Sequence, residues 1–140
     1  MTGVDITDRG SPSDAAELRD RLHEYNFDAT GYRDGRSLSC FLRDVDGQLI
    51  AGLDGFTWGG YAKIEYLWVV SSQRGEGLGR RLLSAAEDEA RARGCVVVRV
   101  DSHAFQAPDF YRKYGYEEVG FVEDAPVGYG EYFFAKRLDR

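Results

Sequence analysis

A glycine-rich segment, Arg74-Gly75-Glu76-Gly77-Leu78-Gly79, stands between a run typical of a β-strand and a run typical of an α-helix. The start of a helix has unpaired N–H groups and the positive end of the helix dipole, and both favour an anion. Glycine has no Cβ that would keep a phosphate away from the backbone. Arg74 and Arg80 add positive charge at the same place. The segment therefore predicts a site for a pyrophosphate group.

Other nucleotide-binding loops share some of these features. A Walker loop would end in Gly-Lys-Ser/Thr, whereas Gly79 is followed by two arginines. A Rossmann site is the more serious alternative, because a strand follows the helix and Asp101 lies 22 residues after Gly79. However, the glycines follow a G-x-G-x-G spacing, and several residues separate the strand from Gly75. A glycine-rich helix start without a ligand is a third interpretation.

The remaining pattern predicts one α+β domain over residues 1–140. Helices are expected from residue 12 to about residue 26, at 78–93 and at 107–114. Strands are expected at residues 3–8, 38–45, 48–58, 61–70, 95–101, 116–122 and 131–138. Asp46-Gly47 and Gly59-Gly60 are typical of hairpin turns, so the second to fourth strands should form an antiparallel meander.

Composition bears mainly on partners and location. The net charge of −6 argues against nucleic acid as a partner and favours a cationic acceptor. No apolar run approaches the roughly 18 residues that span a bilayer, and the N-terminal residues do not resemble a signal peptide. We therefore expect a cytoplasmic protein without a membrane partner. Cys40 and Cys95 are too few for a disulfide framework, and no His/Cys spacing predicts a metal site.

Two motifs carry a resemblance to a known family. Arg74, Gly77 and Gly79 form an R-x-x-G-x-G pattern, and residues 66–94 around them resemble the acetyl-CoA motif of the GNAT superfamily of N-acetyltransferases. The later stretch APDFYRKYGYEEVG, residues 107–120, is similar to that family's F-Y-x-K-x-G-F/Y segment. The resemblance covers most of the chain. It implies a GNAT-like, mostly antiparallel twisted sheet of six to seven strands with a V-shaped splay, flanked by three to four helices.

The resemblance also implies how acetyl-CoA would be held as co-substrate, with no metal. Backbone groups at the end of the strand would hold the pantetheine arm: Leu67, Trp68, Val69 and Val70. Main-chain amides of the loop would hold the pyrophosphate: Arg74, Gly75, Glu76, Gly77, Leu78, Gly79 and Arg80. A contact from Gln106 is left open, because similar enzymes often have Asn near that position.

Acid and base candidates follow from the same comparison. Tyr111 matches the family's acid, and a phenol with a pKa near 10 can protonate a leaving thiolate. Tyr114, three residues on, is the alternative. Glu65 is an acid among apolar residues, and a half-buried position would raise its pKa toward that of a useful base. Asp101 and a water chain are the alternatives to Glu65.

The sequence thus predicts an N-acetyltransferase that moves an acetyl group directly from acetyl-CoA to a primary amine in a ternary complex. The acceptor is a small-molecule amine or a peptide or protein amine, and its identity is open. It should enter from the other side of the sheet, near the first helix and the last hairpin around Tyr129 to Tyr132. A catalytically inactive acyl-CoA-binding regulatory module is the alternative. Exposed strand edges in such folds would permit a homodimer.

Overall fold

The computed structural model describes residues 3–140, which fall into two compact units, one ending at Arg33 and the other spanning Asp34–Arg140. The first unit is built around helix α1 (Pro12–Thr30). Ser11 caps this helix as expected, because its side chain accepts a hydrogen bond from the Asp14 amide. The helix runs beyond residue 26 and ends at Gly31, which has the left-handed φ of 77° that favours glycine.

The predicted strand at residues 3–8 is wrong. These residues form no strand in the described part of the chain. A strand needs a partner that takes up its backbone hydrogen bonds, and this short segment contains glycine and aspartate, which form strands poorly. Alternation of apolar and polar residues over six positions was too weak a signal to predict that partner.

The second unit contains a six-stranded mixed sheet and two α-helices. Its elements are β1 (Arg36–Arg43), β2 (Leu49–Trp58), β3 (Tyr61–Val69), α2 (Leu78–Ala92), β4 (Val97–His103), α3 (Pro108–Lys113), β5 (Glu117–Glu123) and β6 (Gly130–Arg137). The strand order is β1-β2-β3-β4-β6-β5, and only β3 and β4 run parallel. These elements confirm the predicted α+β class and mostly antiparallel sheet. None of the helices among residues 3–140 has the length and apolarity that crossing a bilayer requires.

The two parallel strands separate after a short paired stretch. Tyr61–Ile64 of β3 pairs with Val97–Val100 of β4, and both strands then continue without pairing to each other. A β-bulge lies at this point, because Ile64 pairs with Gly55 and Tyr66 pairs with the preceding Asp54. Glu65 is the extra residue, and such a residue bends its strand. This divergence is the predicted V-shaped splay.

Helix α2 packs on one face of the sheet and closes the core. Its buried face is formed by Leu82, Leu83, Ala86 and Ala90, which are all nearly inaccessible. The largest buried side chains of the sheet are Leu53, Ile64, Val98 and Phe134. Burial raises the pKa of the Cys95 thiol, which packs in this core.

A buried polar group connects α2 to the chain after α3. Glu87 is only 6% exposed, and its carboxylate accepts hydrogen bonds from the Tyr116 hydroxyl at 2.8 Å and the Lys136 ammonium at 2.9 Å. Burial, followed by the charge of Glu87, raises the pKa of Tyr116. These hydrogen bonds hold α2 against Tyr116, which follows α3, and against Lys136 of β6.

Replacing Tyr116 with Phe should lower the free energy of unfolding by about 1–3 kcal/mol, because it removes a hydrogen bond to a buried carboxylate. Urea unfolding measures the change. Tyr129→Phe is the matched control, since Tyr129 is exposed and should stay within about 0.5 kcal/mol of the parent protein. Equal effects from both substitutions would show that the bond to Glu87 adds nothing.

Candidate functional site

A cavity of about 680 Å³ lies where the end of β3, the glycine-rich loop, the start of α2 and α3 meet. Most of the residues predicted to bind a cofactor line it: Leu67, Trp68, Val69, Arg74, Gly75, Gly77, Leu78, Gly79 and Arg80. Val70 and Glu76 do not line it. The Val70 amide is already bonded to the Ile50 carbonyl at 2.7 Å, and Glu76 is exposed.

The end of β3 offers a free backbone edge to this cavity. In an antiparallel ladder, successive residues turn their N–H and C=O groups alternately toward and away from the partner strand. Since Val70 bonds to β2, Leu67 and Val69 turn these groups away from β2. Strand β4 does not pair with them, because the parallel ladder stops at Ile64. An extended ligand could therefore bind along this edge as a strand would.

The loop adds a row of free amides to the same cavity. Leu78, Gly79 and Arg80 form the first turn of α2, and their N–H groups have no acceptor within the helix. Within residues 3–140, the amides of Gly75 to Gly77 also donate no hydrogen bond to a backbone carbonyl. The first amide with an intrahelical acceptor is that of Arg81, which donates to the Gly77 carbonyl.

The three glycines serve different purposes. Gly75 and Gly77 both have φ of 83°, a left-handed backbone conformation that residues with a Cβ rarely adopt. Space is not the constraint at these positions, because an added Cβ would meet nothing within 4 Å. Gly79 is needed for packing instead, because its Cβ would lie 3.3 Å from the Phe110 ring of α3. The sequence interpretation assigned all three to close phosphate approach; the structure assigns Gly79 to the contact between α2 and α3.

Three cations surround the loop. The Arg74 guanidinium donates from Nε to the Val69 carbonyl at 3.0 Å, so its charge lies beside the free edge of β3. Arg80 and Lys113 each lie over the Tyr114 ring, at 5.7 and 5.6 Å from its centroid. All three line the cavity, although the protein as a whole is acidic. Lys113 was missed as a ligand candidate, and its place in the F-Y-x-K-x-G segment was the signal available.

Tyr111 lies at the inner end of the cavity. Its ring packs against Phe110, Tyr116 and Phe134, and the residue is 6% exposed. Its hydroxyl has no hydrogen-bond partner among the described residues, yet none of their fully buried side-chain polar atoms is unsatisfied. The hydroxyl therefore reaches the cavity surface. Burial, followed by the charge of Asp101, raises the pKa of Tyr111 to about 12. Tyr114 lines the same cavity and is less buried.

The candidate bases lie elsewhere. Glu65 is exposed at the bulge and does not line the cavity, so it lacks the half-buried position that would make it a useful base. The reason is the bulge itself, which places Glu65 and Tyr66 together on the exposed side. Asp101 follows the last residue of β4 that pairs with β3, and its carboxylate lies 3.7 Å from the Lys63 ammonium.

Gln106 lines the cavity but is engaged in the turn before α3. Its side-chain carbonyl accepts a hydrogen bond from the His103 amide at 2.7 Å. Phe105, Ala107 and Phe110 complete this wall. No group of three or more His, Cys, Asp or Glu side chains in the described part of the chain is arranged to hold a metal ion.

Comparison with known proteins agrees with this geometry. Residues 6–116 match the model of the acetyltransferase (GNAT) family. An acetyltransferase from Agrobacterium fabrum is 33% identical over 121 residues, which are 86% of this chain and 88% of that protein. A blasticidin-S acetyltransferase from Streptomyces morookaense is 38% identical over 93 residues, 66% of this chain and 68% of that protein. The crystal structure of an acetyltransferase from Bacillus cereus superposes with a TM-score of 0.81 at 33% identity, covering 96% of this chain and 98% of that one.

Proposed function

The chain belongs to the acetyltransferase (GNAT) family, and on this premise we propose that it transfers the acetyl group of acetyl-CoA to a primary amine in a ternary complex. The observation that carries the proposal is the continuity of the free β3 edge with the free amides of the loop. An extended arm that ends in a pyrophosphate needs both features in that order. Acetyl-CoA has this form, with the thioester at the far end of its pantetheine arm.

The residues present fit this co-substrate. Leu67 would hydrogen-bond the amide groups of the pantetheine arm through its outward N–H and C=O groups. The amides from Gly75 to Arg80 and the nearby cations would hold the pyrophosphate at the positive end of the α2 dipole. Bound acetyl-CoA supplies an activated acyl group. The work left to the protein is to orient the acceptor, polarise the carbonyl and move protons.

We assign the last two tasks to the Val69 amide and Tyr111. The Val69 N–H lies on the free edge and can polarise a carbonyl presented there. Tyr111 keeps its proton over the whole physiological range, because its pKa is raised to about 12. It can therefore donate a hydrogen bond to the sulfur as charge develops on it. The negative net charge favours approach of a cationic amine.

Two measurements test the proposed function. Calorimetry should show binding of acetyl-CoA and none of NAD, and a panel of amines should contain at least one that releases CoA. Absence of acetyl-CoA binding would overturn the proposal. Binding of acetyl-CoA without turnover of any amine would favour the alternative, an acyl-CoA-binding regulatory module. Such a module needs only the cavity and no catalytic side chains.

Replacing Arg74 with Ala should weaken acetyl-CoA binding by about 1–3 kcal/mol, roughly 5- to 150-fold in Kd. The substitution removes a cation beside the loop and the bond that holds the Val69 carbonyl. Arg81→Ala is the matched control, because Arg81 has the same charge near the start of α2 but does not line the cavity. Equal Kd values for the two variants, determined by calorimetry, would remove Arg74 from the site.

A further inference from the structure

The sheet face opposite α2 holds a cluster of charged side chains beside the splay. Along β4, Val98, Val100 and Ser102 are buried on the α2 side, so the alternation of the strand puts Asp101 and His103 on the other face. Neighbouring strands add two more charged residues. Lys63 of β3 forms an ion pair with Asp101, and Glu131 of β6 is the direct partner of His103 across the ladder. We call these four residues, Lys63, Asp101, His103 and Glu131, the splay cluster.

The two carboxyl groups of the cluster lie close together on one face of the sheet. Asp101 pairs with Phe133, so Glu131 occupies the diagonal position two residues away on the same face of the sheet. The hydrogen bond to Asp101, then burial and then the charge of Asp101 raise the pKa of Glu131, while His103 and Lys63 oppose this. Two carboxyl groups in such contact bind one proton more tightly than either would alone.

The pair is coupled electrostatically to the candidate acid. Tyr111 reaches the splay from the core face, since its ring packs on Phe134, which pairs with Val100 of β4. Asp101 is the next residue of β4 and lies on the opposite face. It is near enough for its charge to raise the pKa of Tyr111. When Asp101 is neutralised by a proton, this effect disappears and Tyr111 becomes a stronger acid.

We propose that the Asp101–Glu131 pair is the proton acceptor of the reaction, with Asp101 contacting the amine and Glu131 positioning Asp101. The proposal rests on the proposed function. The ammonium of the acceptor gives a proton to the pair, and the nitrogen forms a bond to the acetyl carbon. The carbon–sulfur bond then breaks, and the leaving sulfur takes a proton from Tyr111. The nitrogen loses a second proton as it becomes an amide, and this proton restores the Tyr111 hydroxyl. The amine and the pantetheine arm would meet at the splay from opposite faces of the sheet.

The geometry favours this pair over Glu65. Glu65 lies on the free stretch of β3, and its side chain is exposed. Asp101 and Glu131 are both half-buried, and Asp101 acts on Tyr111 directly. Lys63 contributes one positive charge against two carboxyl groups, so the ionised pair gives the cluster a negative charge that attracts an ammonium.

The pH dependence of kcat/KM tests the pair, using an amine that the parent protein acetylates. Glu131→Gln removes the carboxyl group whose pKa is raised, so the acid limb should move to lower pH and the rate at neutral pH should fall about tenfold. Asp101→Asn should lower kcat by about 100-fold or more, as loss of a general base does. The Kd of acetyl-CoA should stay unchanged in both. Glu123→Gln is the matched control, since it removes an exposed carboxylate from the same hairpin.

A second readout does not depend on turnover. Carbon-13 NMR of the labelled Glu131 carboxyl should show titration above the ordinary value of about 4.3, and Asp101→Asn should bring it back toward that value. The proposed role of the pair would be overturned if the pKa of Glu131 were not raised. It would also be overturned if the acid limb of the pH profile were unchanged in Glu131→Gln and disappeared in Glu65→Gln. Failure of the parent protein to acetylate any amine would instead overturn the proposed function itself.

Discussion

Replacing Tyr111 with Phe should lower kcat for acetyl transfer by about 10²- to 10⁴-fold, the usual contribution of a positioned general acid. The hydroxyl reaches the cavity, and the substitution removes only this group. Phe keeps the ring contacts with Phe110, Tyr116 and Phe134, so the fold and the Kd of acetyl-CoA should be preserved. Steady-state rates on an accepted amine, together with calorimetry of acetyl-CoA, separate these two effects.

Tyr114→Phe is the matched control for this prediction, because Tyr114 lines the same cavity and caps the C-terminal end of the same short helix. If Tyr114→Phe loses the activity and Tyr111→Phe keeps it, the acid is Tyr114. The pH profile adds a further check. Since the pKa of Tyr111 is raised to about 12, the hydroxyl stays protonated below that value, and its ionisation should cause no fall in rate between pH 7 and 10.

Local sequence patterns were sufficient to predict most of the fold. Ser11-Pro12 marks the start of α1, Gly94 ends α2 with a left-handed φ of 82°, and Gly59-Gly60 forms the turn between β2 and β3. Each of these signals depends on a few neighbouring residues, so it can be recognised without knowledge of the tertiary contacts. The glycine-rich loop is of the same kind, which is why its position next to a cavity could be expected.

Features that depend on contacts distant in sequence could not be predicted. The bulge at Glu65 arises because Gly55 lets the Lys63 backbone approach so closely that a Cβ would clash with the Lys63 carbonyl. Nothing in the residues around Glu65 shows that it is the extra residue of β3. Glu131 was likewise not singled out, because its partner Asp101 lies on another strand and only the β4–β6 register brings the two together.

Turn chemistry also limited the prediction of boundaries. Asp46-Gly47 predicted a tight two-residue turn, but the connection spans residues 44–48. The Asp44 carboxylate accepts hydrogen bonds from the amides of Asp46 and Gln48 and stabilises this longer loop. An Asp side chain that bonds to backbone two and four residues later competes with the ladder, so the strand ends at Arg43.

Replacing Gly77 with Val should weaken acetyl-CoA binding by about 100-fold, which corresponds to roughly 2.7 kcal/mol. Gly77 precedes α2 with φ of 83°, and a β-branched residue in this conformation is strained by about 1–3 kcal/mol. The loop would relax to a negative φ, and the row of amides from Gly75 to Arg80 would no longer point to one place. The fold should persist, because a Cβ at Gly77 would meet nothing within 4 Å.

Two further variants separate conformation from side-chain bulk. Asn adopts the left-handed conformation more readily than other residues with a Cβ, so Gly77→Asn should keep most of the affinity if backbone conformation is what matters. Gly47→Val introduces the same strain in the turn before β2, where φ is 81°, and should leave the Kd of acetyl-CoA unchanged. Normal binding by Gly77→Val would mean that the amides of the loop do not hold the pyrophosphate. Calorimetry on the three variants decides this, because a loss in Gly47→Val as well would trace the effect to stability and not to the loop.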